Sequence, residues 1–345
     1  MRHILPATTL AVSLCGWAHA DNFVCRSQGG TSPYPVQERA DLDHLRYAPV
    51  IGTDARIRRF AAYVAVFDDA DDDNGDGRAD LTANPSFVSY HLRGVQPSSD
   101  GQYREPNISI TRPNDWYRGE DLSDLWTGRP GITHTRIDDS YDGIGRIWNR
   151  GHLAMADHAQ RISAEASCNT HFFWNASPQA ADFNQGPWLH LETYSAAVSN
   201  AAGAAWIVAG PIFDRGREIL YIGDAGEVPV AVPHAFFKII VVETQYGVQA
   251  RSFIYEHPSQ IDAAGDPEPD APSNDPWVKC SSASNGRHDY DHRDNLVSIA
   301  NIETRTGLHF QALASVVDRQ AVADDLWPIP EQFWSGFICG GQHQH

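Results

Sequence analysis

The chain has 345 residues, of which 42% are hydrophobic and 10% aromatic, so it can bury the core of one large domain or two small ones. Its formal net charge of −18 excludes a generally basic surface that would attract a polyanion, because a strongly acidic protein repels phosphate. Binding of nucleic acid would therefore require local positive charge, a metal ion, or both.

The N-terminal segment has the organisation of a secretory signal peptide. A short basic start and a mostly apolar run at residues 4–16 precede Ala-His-Ala at 18–20, whose small residues suit cleavage before Asp21. The apolar run is too short to span a bilayer, and no later stretch of the sequence is long enough. We expect residues 1–20 to be removed and residues 21–345 to form one secreted or periplasmic domain that does not enter a membrane.

Two segments in the first third of the chain are rich in aromatic and β-branched residues and predict strands. They are residues 59–67 (RFAAYVAVF) and 86–93 (SFVSYHLR). The polar loop between them resembles the first three-quarters of a calcium-loop pattern, with oxygen-bearing side chains at Asp72, Asn74, Asp76 and Asp80. Because Ala83 stands where that pattern has its bidentate acid, structural calcium and a plain solvated acidic turn remain alternatives.

The next segment, residues 104–161, is almost neutral in an otherwise acidic chain, with eight arginines against nine acidic residues. Near its end, Asn-Arg-Gly-His at 149–152 places a guanidinium and an imidazole two positions apart. In an extended segment, Arg150 and His152 project to the same face. An arginine fork binds phosphate oxygens and a neutral imidazole accepts a proton near pH 7, so the pair suits a phosphodiester. Taken alone, the same triplet is typical of ordinary surface.

The run FNQGPWLHLETYSAAV at residues 183–198 predicts a helix. Asn184, Trp188 and Glu192 fall at positions i, i+4 and i+8, so they share one stripe. An amide oxygen and a carboxylate aimed at one hydrated cation suit Mg²⁺, which keeps several waters and takes few protein ligands. The alternative is a first-turn asparagine near the helix start and a solvated glutamate.

The C-terminal half contains two more apolar runs that predict buried strands. Residues 205–211 (AWIVAGP) end at Gly-Pro, and residues 228–243 (VPVAVPHAFFKIIVVE) have proline at their entry. Residues 257–276 are acidic and proline-rich and predict a surface loop, inserted in one domain because core-like segments flank it.

The mature chain would have four cysteines, Cys25, Cys168, Cys280 and Cys339. An even number in an oxidising compartment predicts two disulfides, for which three pairings exist. We expect Cys280–Cys339, because both lie in the C-terminal third beyond the acidic loop, and hence Cys25–Cys168. The sequence has no CxxC pair, and the spacing of its histidines at 134, 158 and 171 fits no recognised zinc site, so we expect these histidines to be ordinary.

Taken together, these segments resemble the DNA/RNA non-specific endonucleases, which are ββα-metal nucleases with an Asp-Arg-Gly-His hallmark. The resemblance covers about residues 85–255 in order. Its further motif positions are Asn175, Pro178 and Gln179; Asn184, Gln185, Gly186, Trp188, Leu191 and Glu192; Gly210, Pro211 and Phe213; and Pro233, Phe236, Phe237 and Lys238. One position departs from the hallmark: Asn149 replaces the acid, which weakens whatever pairing the acid gives its neighbours. We expect an altered rate or pH dependence rather than inactivity.

The resemblance implies an α+β fold, in which an antiparallel sheet is flanked by helices and a ββα-metal element forms the active site. It implies that His152 is the general base that activates water. Asn184 would be the direct protein ligand of Mg²⁺, and Glu192 would contact the metal through water. Mn²⁺ is the expected substitute for Mg²⁺.

The same resemblance assigns the phosphate contacts. Arg150 would bind the phosphate together with an upstream arginine, which is Arg112 or, as the alternative, Arg104. Asn175 and Gln179 would line the site in supporting roles.

The implied function is hydrolysis of DNA and RNA with little sequence preference, since none of these groups reads a base edge. A metal ion on the leaving 3′-oxygen would leave 5′-phosphates on the products. Two alternatives belong to other classes: a non-catalytic nucleic-acid-binding module on the same fold, and a calcium-dependent surface or adhesion protein that would depend on the loop at 72–80.

Overall fold

The computed structural model describes residues 22–37, 39–53, 55–67, 82–106, 108–144, 147–258, 260–261, 267–268 and 290–335. Three expectations fall outside these residues: the leader at 1–20, the calcium loop at 72–80 and the Cys280–Cys339 pair. Most of the acidic loop at 257–276 also lies outside them.

The strands of the described residues are β1 (Phe23–Val24), β2 (Arg56–Arg59), β3 (Val64–Phe67), β4 (Phe87–Arg93), β5 (Ile110–Thr111), β6 (Trp148–His152), β7 (Ala176–Ala180), β8 (Ala204–Ile212), β9 (Tyr221–Ile222), β10 (Val230–Ala231), β11 (Ala235–Thr244), β12 (Gly247–Glu256), β13 (Gln260–Ile261), β14 (Pro267–Glu268) and β15 (Leu296–Val297). The α-helices are α1 (Ser123–Trp126), α2 (Ala156–Gln160), α3 (Ala164–Cys168), α4 (Ala181–Phe183), α5 (Leu189–Ala202), α6 (Ile299–Thr306) and α7 (Gln311–Ala314).

The main sheet is antiparallel throughout and, within the described residues, has seven strands in the order β15-β12-β11-β8-β4-β3-β2. Its central strands β8 and β11 pair from Ile212 opposite Ala235 to Trp206 opposite Val241. Both are long apolar runs, which is typical of strands covered on both faces. The expected α+β fold is confirmed: helices cover this sheet, and the separate antiparallel pair β6–β7, followed by a helix, forms the ββα element.

Side-chain alternation along β8 divides the core between the two faces of the sheet. Ala205, Ile207 and Ala209 belong to the cluster that also contains the buried residues of α5, whereas Trp206 and Val208 belong to the cluster that contains the buried residues of α6 and α7. The β6–β7 pair packs into the first cluster, so the ββα element lies on the α5 face of the sheet.

The strand expected at residues 59–67 is two strands in the structure. β2 ends at Arg59 and β3 begins at Val64, because a tight turn reverses the chain between them. A hydrogen bond from the Phe60 N–H to the Tyr63 carbonyl oxygen, 2.8 Å long, closes this turn. The next expected strand, at 86–93, is confirmed as β4.

The strand expected to end at Gly-Pro continues through these residues to Ile212. Pairing between β8 and β4 ends at Ala209. The missing N–H of Pro211 therefore interrupts no hydrogen-bond ladder on that edge, which is the condition under which a strand accepts proline.

The helix expected at residues 183–198 is present with an interruption. A π turn at Asn184–Trp188 separates α4 from α5, with Gly186 at a non-helical φ of −116° and ψ of −108° and with Pro187 inside the turn. Single π turns inside α-helices are frequent at functional sites.

A disulfide joins Cys25 to Cys168, with the Cα atoms 5.5 Å apart. It ties the segment after β1 to the end of α3, and it is one of the two pairings that the sequence predicts. No helix in the described part of the chain is long and apolar enough to cross a membrane.

Candidate active site

The β6–β7 pair fixes the backbone around Arg150 and His152. The register sets Arg150 opposite Pro178 and His152 opposite Ala176. Gly151, between them, lies against the buried side chain of Gln179, and a Cβ at this glycine would stand 2.2 Å from Gln179 Oε1. Only glycine fits there, so close packing against Gln179 sets the backbone from which the guanidinium and the imidazole project.

The interrupted helix supplies the opposite side of the site. Asn184 begins the π turn, and Glu192 lies in the first turn of α5. Trp188, the middle member of the predicted stripe, is fully buried, and its Nε1 donates a hydrogen bond to the His152 carbonyl oxygen at 3.1 Å. The helix and β6 are therefore tied together directly beneath the site.

A cavity of about 610 Å³ lies between β6 and this helix. Its lining includes five of the side chains expected to bind phosphate or metal or to act as base, Arg112, Arg150, His152, Asn184 and Glu192. It also includes Asn149, and an apolar part that contains Trp116, Ile144, Met155 and Leu189. Residues far apart in the sequence thus meet around one space.

His152 is held among other rings. Its ring centroid lies 4.7 Å from that of Trp116 and 4.9 Å from that of His171. Burial lowers the pKa of His152 well below its ordinary value, with further lowering by His171 and Arg112. The imidazole is therefore neutral near pH 7, which is the form that accepts a proton.

Glu192 is buried beside a buried lysine. The Nζ of Lys238 lies 3.8 Å from Glu192 Oε1 and 4.0 Å from the centroid of the Trp188 ring. Burial raises the pKa of Glu192 to about 7, although Lys238 acts in the opposite direction. Burial lowers the pKa of Lys238 to about 8. Neither Glu192 Oε1 nor Lys238 Nζ has a hydrogen-bond partner among the described residues.

The structure separates the two candidate upstream arginines. Arg112 is exposed and lines the cavity. Arg104 does not line it, and its Nη1 donates to Asp100 Oδ1 at 2.9 Å on the surface. Among the described residues, the ion-pair partner of Arg150 is Asp142, whose Oδ1 lies 3.6 Å from Arg150 Nη2 and whose side chain is 80% exposed. Such an exposed pair is weak, so the Arg150 guanidinium remains available to an anion.

Asn175 and Gln179 do not line the cavity, which corrects the expectation for both. Asn175 is fully buried, and its Oδ1 accepts from the Ala154 N–H at 2.7 Å while its Nδ2 donates to the carbonyl oxygens of Ala154 and Thr170. The amide of Asn175 therefore makes hydrogen bonds with the backbone of Ala154, two residues after His152, and with that of Thr170. Gln179 is also fully buried, against Gly151. Both side chains shape the backbone below the site.

Two neighbours of the site were not singled out from the sequence. His171, for which the sequence predicts an ordinary surface or core histidine, is a buried histidine whose ring packs edge-on against that of His152. Lys238 is a motif position of the family resemblance, but the sequence assigns it no function in the site. The sequence could have indicated the buried ion pair, because a lysine inside the apolar run of β11 is expected to be buried and a buried ammonium requires a partner.

The chain is similar in sequence to a known protein family and to several named proteins. Residues 60–316 match the family model described as DNA/RNA non-specific endonuclease. The chain is 32% identical over 127 residues to a protein of Bos taurus named Endonuclease G, mitochondrial, over 35% of this chain and 42% of that protein. It is 28% identical over 107 residues to a protein of Serratia marcescens named Nuclease, over 29% of this chain and 36% of that protein. The matched parts thus span less than half the length of these relatives.

Among solved structures, a crystal structure of an EndoG/EndoGI complex superimposes with a TM-score of 0.47 and 19% identity, covering 77% of this chain and 89% of that one.

Proposed function

The chain belongs to the DNA/RNA non-specific endonuclease family, and from this premise we propose that it is an endonuclease that hydrolyses phosphodiester bonds of DNA and RNA with little sequence preference. The observation that carries the proposal is the single cavity on which Arg112, Arg150, His152, Asn184 and Glu192 converge. A base, two phosphate-binding cations and two oxygen ligands are the parts that metal-assisted phosphodiester hydrolysis requires.

The oxygen groups on the helix side fit a hydrated Mg²⁺, with Mn²⁺ as a substitute. Asn184 uses its Nδ2 to donate to Asn149 Oδ1 at 3.0 Å, which leaves its own Oδ1 as the ligating atom. Glu192 has a buried carboxylate oxygen without a hydrogen-bond partner among the described residues, and it lines the same cavity. Mg²⁺ binds through one or a few protein oxygens and keeps several waters, so Asn184 would hold it directly and Glu192 through water.

In the proposed mechanism, His152 takes a proton from the attacking water, which contributes roughly 10²–10⁴-fold to the rate. Arg150 and Arg112 bind and orient the phosphate through charge-assisted hydrogen bonds and stabilise the charge that develops on its non-bridging oxygens. A bound metal ion would supply Lewis-acid neutralisation of the leaving 3′-oxygen, so that breaking the P–O3′ bond would leave 5′-phosphates on the products.

Recognition by these groups is confined to the sugar-phosphate backbone, which accounts for tolerance of sequence and for action on both DNA and RNA. The overall charge of −18 opposes substrate binding. Phosphate affinity therefore depends on arginines at the cavity and on the metal ion rather than on a broad basic surface.

We also propose that the protein is exported, to the periplasm or the medium, as one domain. The leader-like sequence of residues 1–20 supports this location, and so does the Cys25–Cys168 disulfide, because disulfides persist in oxidising compartments.

The test is digestion of plasmid DNA and of RNA by the purified chain after EDTA treatment, with separate addition of Mg²⁺, Mn²⁺ and Ca²⁺. We expect cleavage with Mg²⁺ and Mn²⁺, and 5′-phosphates by end-group analysis. Binding of nucleic acid without cleavage under any of these ions would instead support the non-catalytic module. A requirement for Ca²⁺ alone would point to the loop at 72–80.

Two substitutions separate the base from the metal ligand. His152→Ala removes the proton acceptor and leaves the oxygen ligands, so cleavage should fall by ~10²-fold or more with Mg²⁺ binding retained. Asn184→Ala should lower the rate and shift the Mg²⁺ requirement to higher concentration. Near-full activity of His152→Ala in contaminant-free protein would show that this cavity is not the active site.

A further inference from the structure

Asn149 uses one end of its amide inside the protein, and the other end has no partner among the residues that the structure describes. Its Oδ1 accepts two hydrogen bonds, from Asn184 Nδ2 at 3.0 Å and from Gln185 Nε2 at 2.8 Å. Its Nδ2 makes no hydrogen bond to any residue that the structure describes. The side chain is half-buried and lines the cavity beside Arg150. An amide nitrogen carries two donors, so the free end offers N–H groups to whatever enters the cavity.

We propose that Asn149 is a substrate-contacting residue whose Nδ2 donates a hydrogen bond to a phosphate oxygen of the nucleic-acid backbone, while its Oδ1 holds Asn184 and Gln185 in place. The inference rests on the proposed function, because it takes a nucleic acid as the occupant of this cavity. It assigns to the position that departs from the family hallmark a role that an acid cannot fill.

The chemistry of the two side chains accounts for the difference. An aspartate at position 149 would also accept the two hydrogen bonds from Asn184 and Gln185, because a carboxylate is an acceptor on both oxygens. Its second oxygen, however, would present a negative charge where Asn149 presents N–H donors. In a chain with a net charge of −18, the amide removes one repulsive charge from the place where phosphate must bind.

The same change has the opposite effect on the cation. A carboxylate next to Asn184 would attract Mg²⁺ more strongly than a neutral amide does. Asn149→Asp is therefore expected to strengthen binding of Mg²⁺ and to weaken binding of nucleic acid. The two internal hydrogen bonds are kept in this variant, so a change in either affinity reflects the new charge and the lost N–H donors and not a displacement of Asn184 and Gln185.

The experiment measures the two affinities separately, in a His152→Ala background that prevents cleavage. Binding of a short fluorescein-labelled single-stranded DNA is followed by anisotropy in EDTA, and binding of Mg²⁺ without DNA is followed by calorimetry. Asn149→Asp should weaken DNA binding by roughly tenfold or more, the loss expected when a hydrogen bond to a charged group becomes a repulsion. Its affinity for Mg²⁺ should rise severalfold.

Two further variants make the result specific. Asn301→Asp adds the same charge on the exposed surface of α6, in the helix that packs on the other face of the sheet, and should leave both affinities near those of the parent. Asn149→Ala removes both ends of the amide and should weaken both affinities, because Asn184 and Gln185 lose their shared acceptor. Equal melting temperatures of the parent and Asn149→Asp verify that the fold is kept.

The outcomes separate this inference from the proposed function. Unchanged or tighter DNA binding by Asn149→Asp overturns the inference, as does an equal loss in Asn301→Asp, which would indicate a general charge effect. Failure of the parent to bind the oligonucleotide also overturns it. If the chain with His152 intact does not cleave but Asn149→Asp shows the opposed shifts, the inference stands and the proposed catalysis fails.

Discussion

At the scale of single residues, Lys238 places a buried positive charge against two residues of the site. Its ammonium is fully buried, between the Glu192 carboxylate at 3.8 Å and the face of Trp188 at 4.0 Å. Trp188 in turn donates to the His152 carbonyl oxygen. One buried cation thus contacts both Glu192, which we propose contacts the metal ion through water, and the indole that hydrogen-bonds to the strand of His152, the proposed base.

Lys238→Met tests the importance of this buried pair for stability. The substitution leaves Glu192 as a buried acid without a counter-ion, so the free energy of unfolding should fall by ~3–5 kcal/mol. Urea unfolding in EDTA measures the change without metal ions. The double variant Lys238→Met, Glu192→Gln should recover part of the loss, since no charge is then left unpaired.

A surface pair provides the matched control. Arg293 contacts Asp325 and Asp291 with 58% of its side chain exposed, and Arg293→Met should leave the urea midpoint almost unchanged, because exposed ion pairs contribute little to stability. An equally small loss for Lys238→Met, or no recovery in the double variant, would contradict the coupling between Lys238 and Glu192.

At the scale of elements, the β6–β7 pair and the interrupted helix each supply different side chains of the site. β6 presents Arg150 and His152, and the packing of Gln179 on Gly151 determines how closely β7 can approach. The π turn before α5 interrupts the helix at Gly186, and Asn184 and Glu192 on either side of this interruption both line the cavity while Trp188 is buried.

Gly151→Ala tests the packing of this strand pair. The new Cβ would lie 2.2–2.4 Å from three side-chain atoms of Gln179, which is fully buried and cannot swing into solvent. Overpacking of this kind costs ~1–3 kcal/mol, so the urea midpoint should fall. Adding Gln179→Ala should restore most of the stability, because it removes the atoms that clash. If the double variant is no more stable than Gly151→Ala, contact with Gln179 is not the cause of the destabilisation.

At the scale of the whole molecule, buried histidines make stability dependent on pH. Burial lowers the pKa of His171 to about 4, and it lowers the pKa values of His152, His158 and His292 well below the ordinary range. These groups bind protons more readily in the unfolded chain. Their contribution to stability is therefore fully present above pH ~6.5 and is lost as the pH falls toward 4, while the raised pKa of Glu192 offsets one of them in part.

We expect the free energy of unfolding to decrease from pH 7 to pH 5 at constant ionic strength. Each histidine contributes up to ~1.4 kcal/mol per pH unit within its window. His171→Gln removes one titrating group. It should reduce the slope of unfolding free energy against pH by the contribution of one proton, even if it lowers stability overall. Equal or greater stability at pH 5 would contradict this account. Urea unfolding across the range provides the measurement.

The sequence by itself determined the parts that depend on local spacing and residue chemistry. Strand alternation is a property of any extended segment, so it predicted that Arg150 and His152 project together. Helical periodicity likewise predicted one stripe for Asn184, Trp188 and Glu192, and the structure places its two polar members on one cavity. The number of cysteines and their positions along the chain predicted the Cys25–Cys168 pairing that the structure contains. Whether these side chains carry out the proposed chemistry stays a prediction.

Only the tertiary structure decided the features that arise where distant segments meet. Arg112 and not Arg104 lines the cavity, because the cavity forms where the segment of Arg112 meets β6 and α5, and the use of the Asn175 amide depends on the backbone at Ala154. The burial of Lys238 against Glu192 and the packing of His171 on His152 join residues on different elements. Such contacts leave no periodic trace in a sequence, because they depend on how complete elements pack and not on the spacing of residues within one.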